Sequence, residues 1–244
     1  METASYIGLS LQSALKRQMN VVANNLANMN TPAYKGQHML FQEYLNGPGR
    51  TPTGSESDLS MVMDQAVVRD SRPGPIERTG NPLDVAIEGD GFLVVDTVGG
   101  PRYTRSGHLA LNSERTLVDS NGLPVLDDGN QPIRIPANAT GITIDGDGNI
   151  SASTGPIGRI QMVTFADEFG LTPLGGGLYV TNEVPADAEE ANLVQGAIEG
   201  SNVQPIAEMT QMIEIARAYQ KTQGFIQSEH ERLRTAIRQL GKIA

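Results

Sequence analysis

An apolar stripe runs through residues 205–244, and no other feature restricts the fold as strongly. Taken at alternating steps of three and four, it reads Met209, Met212, Ala216, Tyr219, Gln223, Ile226, His230, Leu233, Ile237 and Leu240. A repeat of about 3.5 residues belongs to a helix packed lengthwise on a partner helix. Pro205 suits a first helical position, where its missing N–H costs nothing. Ser201 and Asn202, just upstream, are capping candidates. Gly224 is the one glycine inside the run, and Gly241 marks its end. A helix over 206–240 would be roughly 50 Å long, at about 1.5 Å per residue. That is more than a small globule can cover, so it requires a long partner.

The other end of the chain offers one. Leu11, Leu15, Met19, Val22, Leu26 and Met29 form a second stripe at helical spacing. Asn24, Asn25, Asn28 and Asn30 crowd its end and compete for backbone hydrogen bonds. Thr31 precedes Pro32, and a residue before proline avoids helical geometry, so the helix stops near Met29. A stripe of this kind ordinarily covers a local core. The matching stripe at the far end favours two terminal helices that pair with each other.

Between them the pattern changes. Residues 37–79 have weak periodicity and many breakers, among them Gly47-Pro48-Gly49 and Pro73-Gly74-Pro75, and read as a long extended connection. Leu59 to Val68 could hold a strand or a short turn of helix. From Asn81 onward short apolar runs alternate with Gly-rich turns. Leu83 to Ile87, Phe92 to Val95, Ile142 to Ile144, Ile157 to Val163 and Leu178 to Val180 are examples. Such spacing predicts an antiparallel β module. The expected fold is α+β: long N- and C-terminal helices pairing as a coiled-coil-like layer, with an antiparallel all-β domain inserted. The divisions are 1–36 for the N-terminal helix and its exit, 37–79 for the connection, 80–200 for the β-rich domain and 201–244 for the C-terminal helix.

Charge narrows the function. The net charge is −10, yet residues 1–36 and 205–244 are each basic by two, and residues 37–204 hold 9 bases against 23 acids. An acidic middle argues against nucleic acid and anionic membrane surfaces. No run of apolar residues is long enough to span a bilayer, and no cleavable signal peptide is visible at the N-terminus. With Cys 0, disulfides, thiolate metal sites and cysteine nucleophiles are excluded.

Candidate chemistry is sparse. Asp145, Asp147 and Asn149 have calcium-loop spacing, but Pro156 stands where a bidentate Glu is required, so a hairpin turn is expected. His38, His108 and His230 are far apart and lack the spacing of a helical metal pair. No Gly-x-Ser-x-Gly elbow occurs. Gly175-Gly176-Gly177 lacks the Lys-Ser/Thr of a phosphate loop. Asn138-Ala139-Thr140 is a chance-level glycosylation match. Glu214 with Arg217, Glu229 with Arg232, and Glu231 with Arg234 are three apart and can pair on the solvent side of the last helix. No catalytic residue, cofactor or metal is expected.

Three separated stretches carry a family resemblance. Residues Ala23-Asn24-Asn25-Leu26-Ala27-Asn28-Met29-Asn30-Thr31-Pro32-Ala33-Tyr34-Lys35 resemble the N-terminal signature of flagellar basal-body rod and hook proteins. That signature usually has Gly where Ala33 stands, which implies that the turn here does not need positive φ. Asn81 to Phe92, with Tyr103-Thr104-Arg105, is similar to the same family's middle segment. Glu199-Gly200-Ser201-Asn202-Val203-Gln204-Pro205, with Glu208-Met209-Thr210 and Arg217 to Gln220, is similar to its closing segment.

The resemblance implies a non-catalytic structural subunit, exported unfolded through the flagellum's own secretion apparatus. It would polymerise in the periplasm, with copies of itself and other rod proteins, into a hollow helical drive shaft. The terminal helices would line the inner tube and the β domain would lie outside. The expected subunit-interface residues are Leu11, Leu15, Met19, Val22, Leu26, Met209, Met212, Ala216, Tyr219, Ile226, Leu233, Ile237 and Leu240. Which axial subunit of the family this is stays open. So does a different class, a carbohydrate-binding or enzymatic β domain flanked by helices. That class needs a pocket with converging polar groups, to be sought around Asp90, Arg105 and His108.

Overall fold

A computed structural model describes residues 2–46, 59–167, 170–188 and 190–240. In chain order the elements are α1 (Glu2–Ala27), β1 (Gln37–Asn46), β2 (Leu59–Arg69), β3 (Ile76–Arg78), β4 (Val85–Glu88), β5 (Phe92–Val95), β6 (Arg102–Thr104), β7 (Ala110–Leu111), β8 (Leu117–Val118), β9 (Thr143–Ile144), β10 (Asn149–Ala152), β11 (Gly155–Arg159), β12 (Met162–Thr164), β13 (Thr172–Gly175), β14 (Leu178–Val180), β15 (Ala186–Asp187), β16 (Asn192–Gln195), β17 (Ala197–Glu199) and α2 (Pro205–Leu240). The chain is thus α+β, and it divides into two compact units. Among the described residues no helix is long and apolar enough to cross a membrane.

The first unit combines residues 1–27, 36–70 and 204–244. Pro205 opens α2, and the Gln204 carbonyl accepts the first helical bond from Glu208 N–H at 3.0 Å. The Gln204 backbone therefore makes the N-cap, whereas Ser201 Oγ accepts the Val203 N–H at 3.2 Å. α1 packs along α2. A Cβ on Gly8 would come within 3.0 Å of Ile226 Cγ1. The first third of α1 therefore meets the second half of α2, while buried Ile215 and Glu208 lie earlier in α2.

The stretch read as an extended connection contains a long β hairpin instead. β1 and β2 pair antiparallel from Gln37 with Arg69 to Asn46 with Leu59, and the register shifts between Leu40 and Phe41. The bulge breaks the alternation that marks a strand in sequence. Of the breakers that argued against strands, Gly47-Pro48-Gly49 lies outside the described residues and Pro73-Gly74-Pro75 follows the end of β2. Residue 25 ties the hairpin to α1. Asn25 is fully buried. Its Nδ2 donates to Gln37 O at 2.8 Å and its Oδ1 accepts Gln37 N–H at 2.9 Å.

The second unit comprises residues 28–35 and 71–203. Its main sheet runs β13-β14-β6-β5-β12-β15, with smaller sheets β11-β10-β9, β16-β4, β17-β3 and β7-β8, all antiparallel. β5 explains why Phe92-Leu93-Val94-Val95 is apolar without alternation. Leu93 and Val95 enter one core, with Val85, Ile87, Leu117 and Val125. Phe92 and Val94 enter another, with Tyr103, Phe165 and Tyr179. Tyr103 and Phe165 meet edge to face, with centroids 4.7 Å apart. A Cβ on Gly107 would fall 1.7 Å from Val85 O, so only glycine permits that crossing. At the Asp145 turn, Oδ1 accepts the N–H groups of Asp147 and Asn149 at 3.1 and 2.8 Å. These bonds close the hairpin between β9 and β10 that the Asp-Gly pattern predicts.

Candidate functional site

The three sequence stretches that carry the resemblance converge on one buried cluster in the second unit. Glu199 ends β17, Lys35 closes the N-terminal motif and Arg105 follows β6. All three are more than nine-tenths buried. Lys35 Nζ donates to Glu199 Oε1 at 2.5 Å although the residues are 164 positions apart. Gly74 N–H donates to the same oxygen at 3.0 Å. Arg105 Nε donates to Glu199 Oε2 at 2.9 Å.

The remaining donors are also satisfied. Lys35 Nζ donates to Arg72 O at 2.9 Å. Arg105 Nη1 donates to Gly91 O at 2.9 Å, and Nη2 donates to Gly89 O and Ile87 O at 3.1 and 3.4 Å. The Arg105 guanidinium thereby fills the turn after β4, with its carbon 5.7 Å from the Phe92 ring centroid. Two cations face one carboxylate, and backbone carbonyls absorb the excess charge. Burial pushes the Glu199 carboxyl up, but Arg105, then Lys35 and the hydrogen bonds outweigh it. The net position is below the ordinary glutamate value.

The strand partners explain the placement. β17 pairs with β3, setting Glu199 opposite Ile76. A Cβ on Gly74 would lie 2.0 Å from Gly200 O, so glycine lets residues 72–75 pass beside Gly200. Ala33 N–H donates to Glu199 O at 2.8 Å. To do so Ala33 takes φ +56°, which corrects the expectation that this turn avoids positive φ. The left-handed geometry persists with a methyl group, at a cost of about 1 kcal/mol.

Other motif residues have local roles. Thr31 N–H donates to Asn28 O at 3.0 Å and Tyr34 N–H to Thr31 O at 3.2 Å. Asn202 Nδ2 donates to Arg72 O at 2.9 Å. Gly200 N–H donates to Pro75 O at 2.8 Å. Pro32, Ser201 and Val203 are half-buried, whereas Asn24 and Ala27 are exposed on the last turns of α1.

The helix positions divide unevenly. On α1, Val22 is buried, Leu15, Met19 and Leu26 are half-buried, and Leu11 is exposed. On α2, Met212, Ala216, Tyr219 and Ile226 are half-buried and Met209 is 46% exposed. The side chains of Leu233, Ile237 and Leu240 lie outside those described. The deepest line on α2 is Glu208, Ile215, Thr222 and Glu229, seven residues apart and one position before the sequence stripe. Glu229 is therefore not a solvent-side acid, though Arg232 Nη2 still pairs with it at 2.8 Å. Neither Glu214–Arg217 nor Glu231–Arg234 is among the ion pairs of the described residues. Tyr6 and Leu9 on α1, and Ile206, Ile213 and Phe225 on α2, are large apolar side chains left open to solvent.

The alternative polar site is dispersed. Asp90 is exposed, and Arg105 is fully engaged. His108 Nδ1 lies 2.9 Å from Asp84 Oδ1 at the surface. A pocket of about 470 Å³ opens elsewhere, lined by Asp128, Arg159, Gln161, Met162, Asp187 and Ala188. Among the described residues no cluster of three metal-ligating side chains occurs.

Comparison with known proteins covers the same three stretches. Residues 6–35 match the family described as "Flagella basal body rod protein". Residues 86–152 match "Flagellar hook protein FlgE/F/G D1 domain", and residues 194–239 match "Flagellar basal body rod FlgEFG protein C-terminal". The chain is 40% identical to flagellar basal-body rod protein FlgF of Caulobacter vibrioides, covering 100% of both chains. It is 30% identical to FlgF of Mesorhizobium japonicum over 99% of each. It is also 30% identical to flagellar basal-body rod protein FlgG of Bacillus subtilis, covering 95% of this chain and 97% of that one.

Proposed function

Since this chain belongs to the flagellar basal-body rod protein family, we propose that it is a non-catalytic subunit of the bacterial flagellar rod. It polymerises through α1 and α2 into the hollow shaft that transmits torque. Its partners are copies of itself and other rod proteins in the periplasmic basal body, and the flagellar export apparatus delivers it. The fuller likeness to FlgF supports a place in the proximal part of the rod.

The observation that carries this reading is the apolar surface left on both helices: Tyr6, Leu9, Ile206, Met209, Ile213 and Phe225. One copy leaves these side chains in water, and a neighbouring copy can cover them. Burial at seven-residue intervals, Glu208 to Glu229, supports a coiled-coil-like inner layer. A head-to-tail contact between unlike faces generates an open helical polymer.

Ile213→Asp tests this without disturbing the core, because Ile213 is 53% exposed. The purified subunit should keep its folding stability within about 0.5 kcal/mol, and cells carrying the variant should lack rods past this subunit and fail to swim. Normal swimming would reject the role of this face.

A further inference from the structure

The segment from Asn28 to Lys35 belongs to the second unit and is held there by a set of polar bonds. Among its described residues only Ala33 is a buried apolar side chain. Its anchors surround Glu199. Ala33 N–H reaches the Glu199 carbonyl at 2.8 Å, and Lys35 Nζ reaches the Glu199 carboxylate. Asn202 N–H donates to Tyr34 O at 3.3 Å. Lys35 and Asn202 both donate to Arg72 O.

Removing this segment leaves Glu199 paired. Arg105 Nε and Gly74 N–H stay on its two oxygens. The β17–β3 ladder and both apolar cores contain none of residues 28–35. Lys35 regains water when it leaves, and that hydration offsets much of the ion pair it gives up. The segment is thus bound by a contact of small net value to a body that is complete without it.

We propose that residues 28–35 are a latch that closes last on an already folded β body, with Lys35 as its bolt. The latch opens by local unfolding while the body stays intact. Opening frees residues 28–35 from Glu199. A subunit therefore has two folded forms, latched and unlatched, rather than one.

Native-state amide exchange on the full chain distinguishes the forms. In the unaltered protein the Ala33 amide, bonded to Glu199 O, should exchange at least about 100-fold faster than the Leu117 and Val125 amides of the core. Lys35→Met should accelerate Ala33 about tenfold further and leave the core amides unchanged within about twofold. Arg105→Met should accelerate both sets. Equal acceleration of latch and core by Lys35→Met would overturn the proposal, as would no change at Ala33. Failure of Lys35→Met to fold would overturn it too, because the body is held to fold without the latch.

Discussion

The two units solve opposite problems. The β unit buries its apolar residues on both faces of β5 and surrounds the buried Glu199 carboxylate with two cations and a backbone N–H. The helical unit does the reverse along much of its length. It buries Glu208, Thr222 and Glu229 on α2 while exposing Ile206, Met209, Ile213 and Phe225. One Glu208 carboxylate oxygen is buried without a hydrogen-bond partner. The contrast accords with the proposed assembly: the β unit is sealed within itself, whereas the helices keep apolar surface that a neighbouring copy would cover.

Substitutions in each unit put that contrast at risk. The largest effect is expected for Glu199→Gln, which leaves two buried cations without their anion. Chemical denaturation should show a loss of about 3–5 kcal/mol at neutral pH. The Glu199 carboxyl ionises below its ordinary value in the folded state. Its contribution is therefore complete above about pH 4.3, the unfolded value, and disappears as pH falls through the folded one. The gap between the two proteins should close in acid, and a gap independent of pH would show that the charge is not what stabilises the cluster.

Leu93→Ala should cost about 3 kcal/mol, since Leu93 has no exposure and packs in the core with Val85, Ile87 and Val125. A loss below about 1 kcal/mol would mean the β unit is packed as loosely as the helical one. In the helical unit the sign reverses. Glu208→Met should raise stability by about 1 kcal/mol, because it removes a buried oxygen that has no donor. A destabilised variant would show that Glu208 is already well served within one copy. Ala33→Gly should gain the least, about 0.5 kcal/mol, by relieving the left-handed methyl against the greater freedom of unfolded glycine.

Legibility in the sequence followed the range of the contacts. Both helices could be read because their repeats are local, and Pro205 marked the start of α2. Strands such as β4 and β5 stood out between Gly-rich turns. The β1–β2 hairpin did not, because the shift at Leu40 and Phe41 hides its alternation. The deepest line of α2 escaped by one residue. A hydrophobic count selects Met209 and Met212, whereas packing buries Glu208 and Ile215. Lys35 and Glu199 were recognisable as motif members. Their union was not, since Lys35 and Glu199 lie 164 positions apart and no local pattern records such a pairing. Ala33 was misjudged because the departure from the family's glycine was taken to change the turn, whereas the left-handed geometry, with its N–H bond to the Glu199 carbonyl, persists with a methyl group.

The amide of Asn25 grips the backbone of Gln37 at both its N–H and its carbonyl, as a neighbouring strand would. The end of α1 and the base of the hairpin are consequently a single stiff joint. A twist delivered along α1 arrives in the hairpin through two hydrogen bonds as well as through the intervening loop. Aspartate in this position could take the N–H but not give to the carbonyl, and the joint would slacken into a pivot.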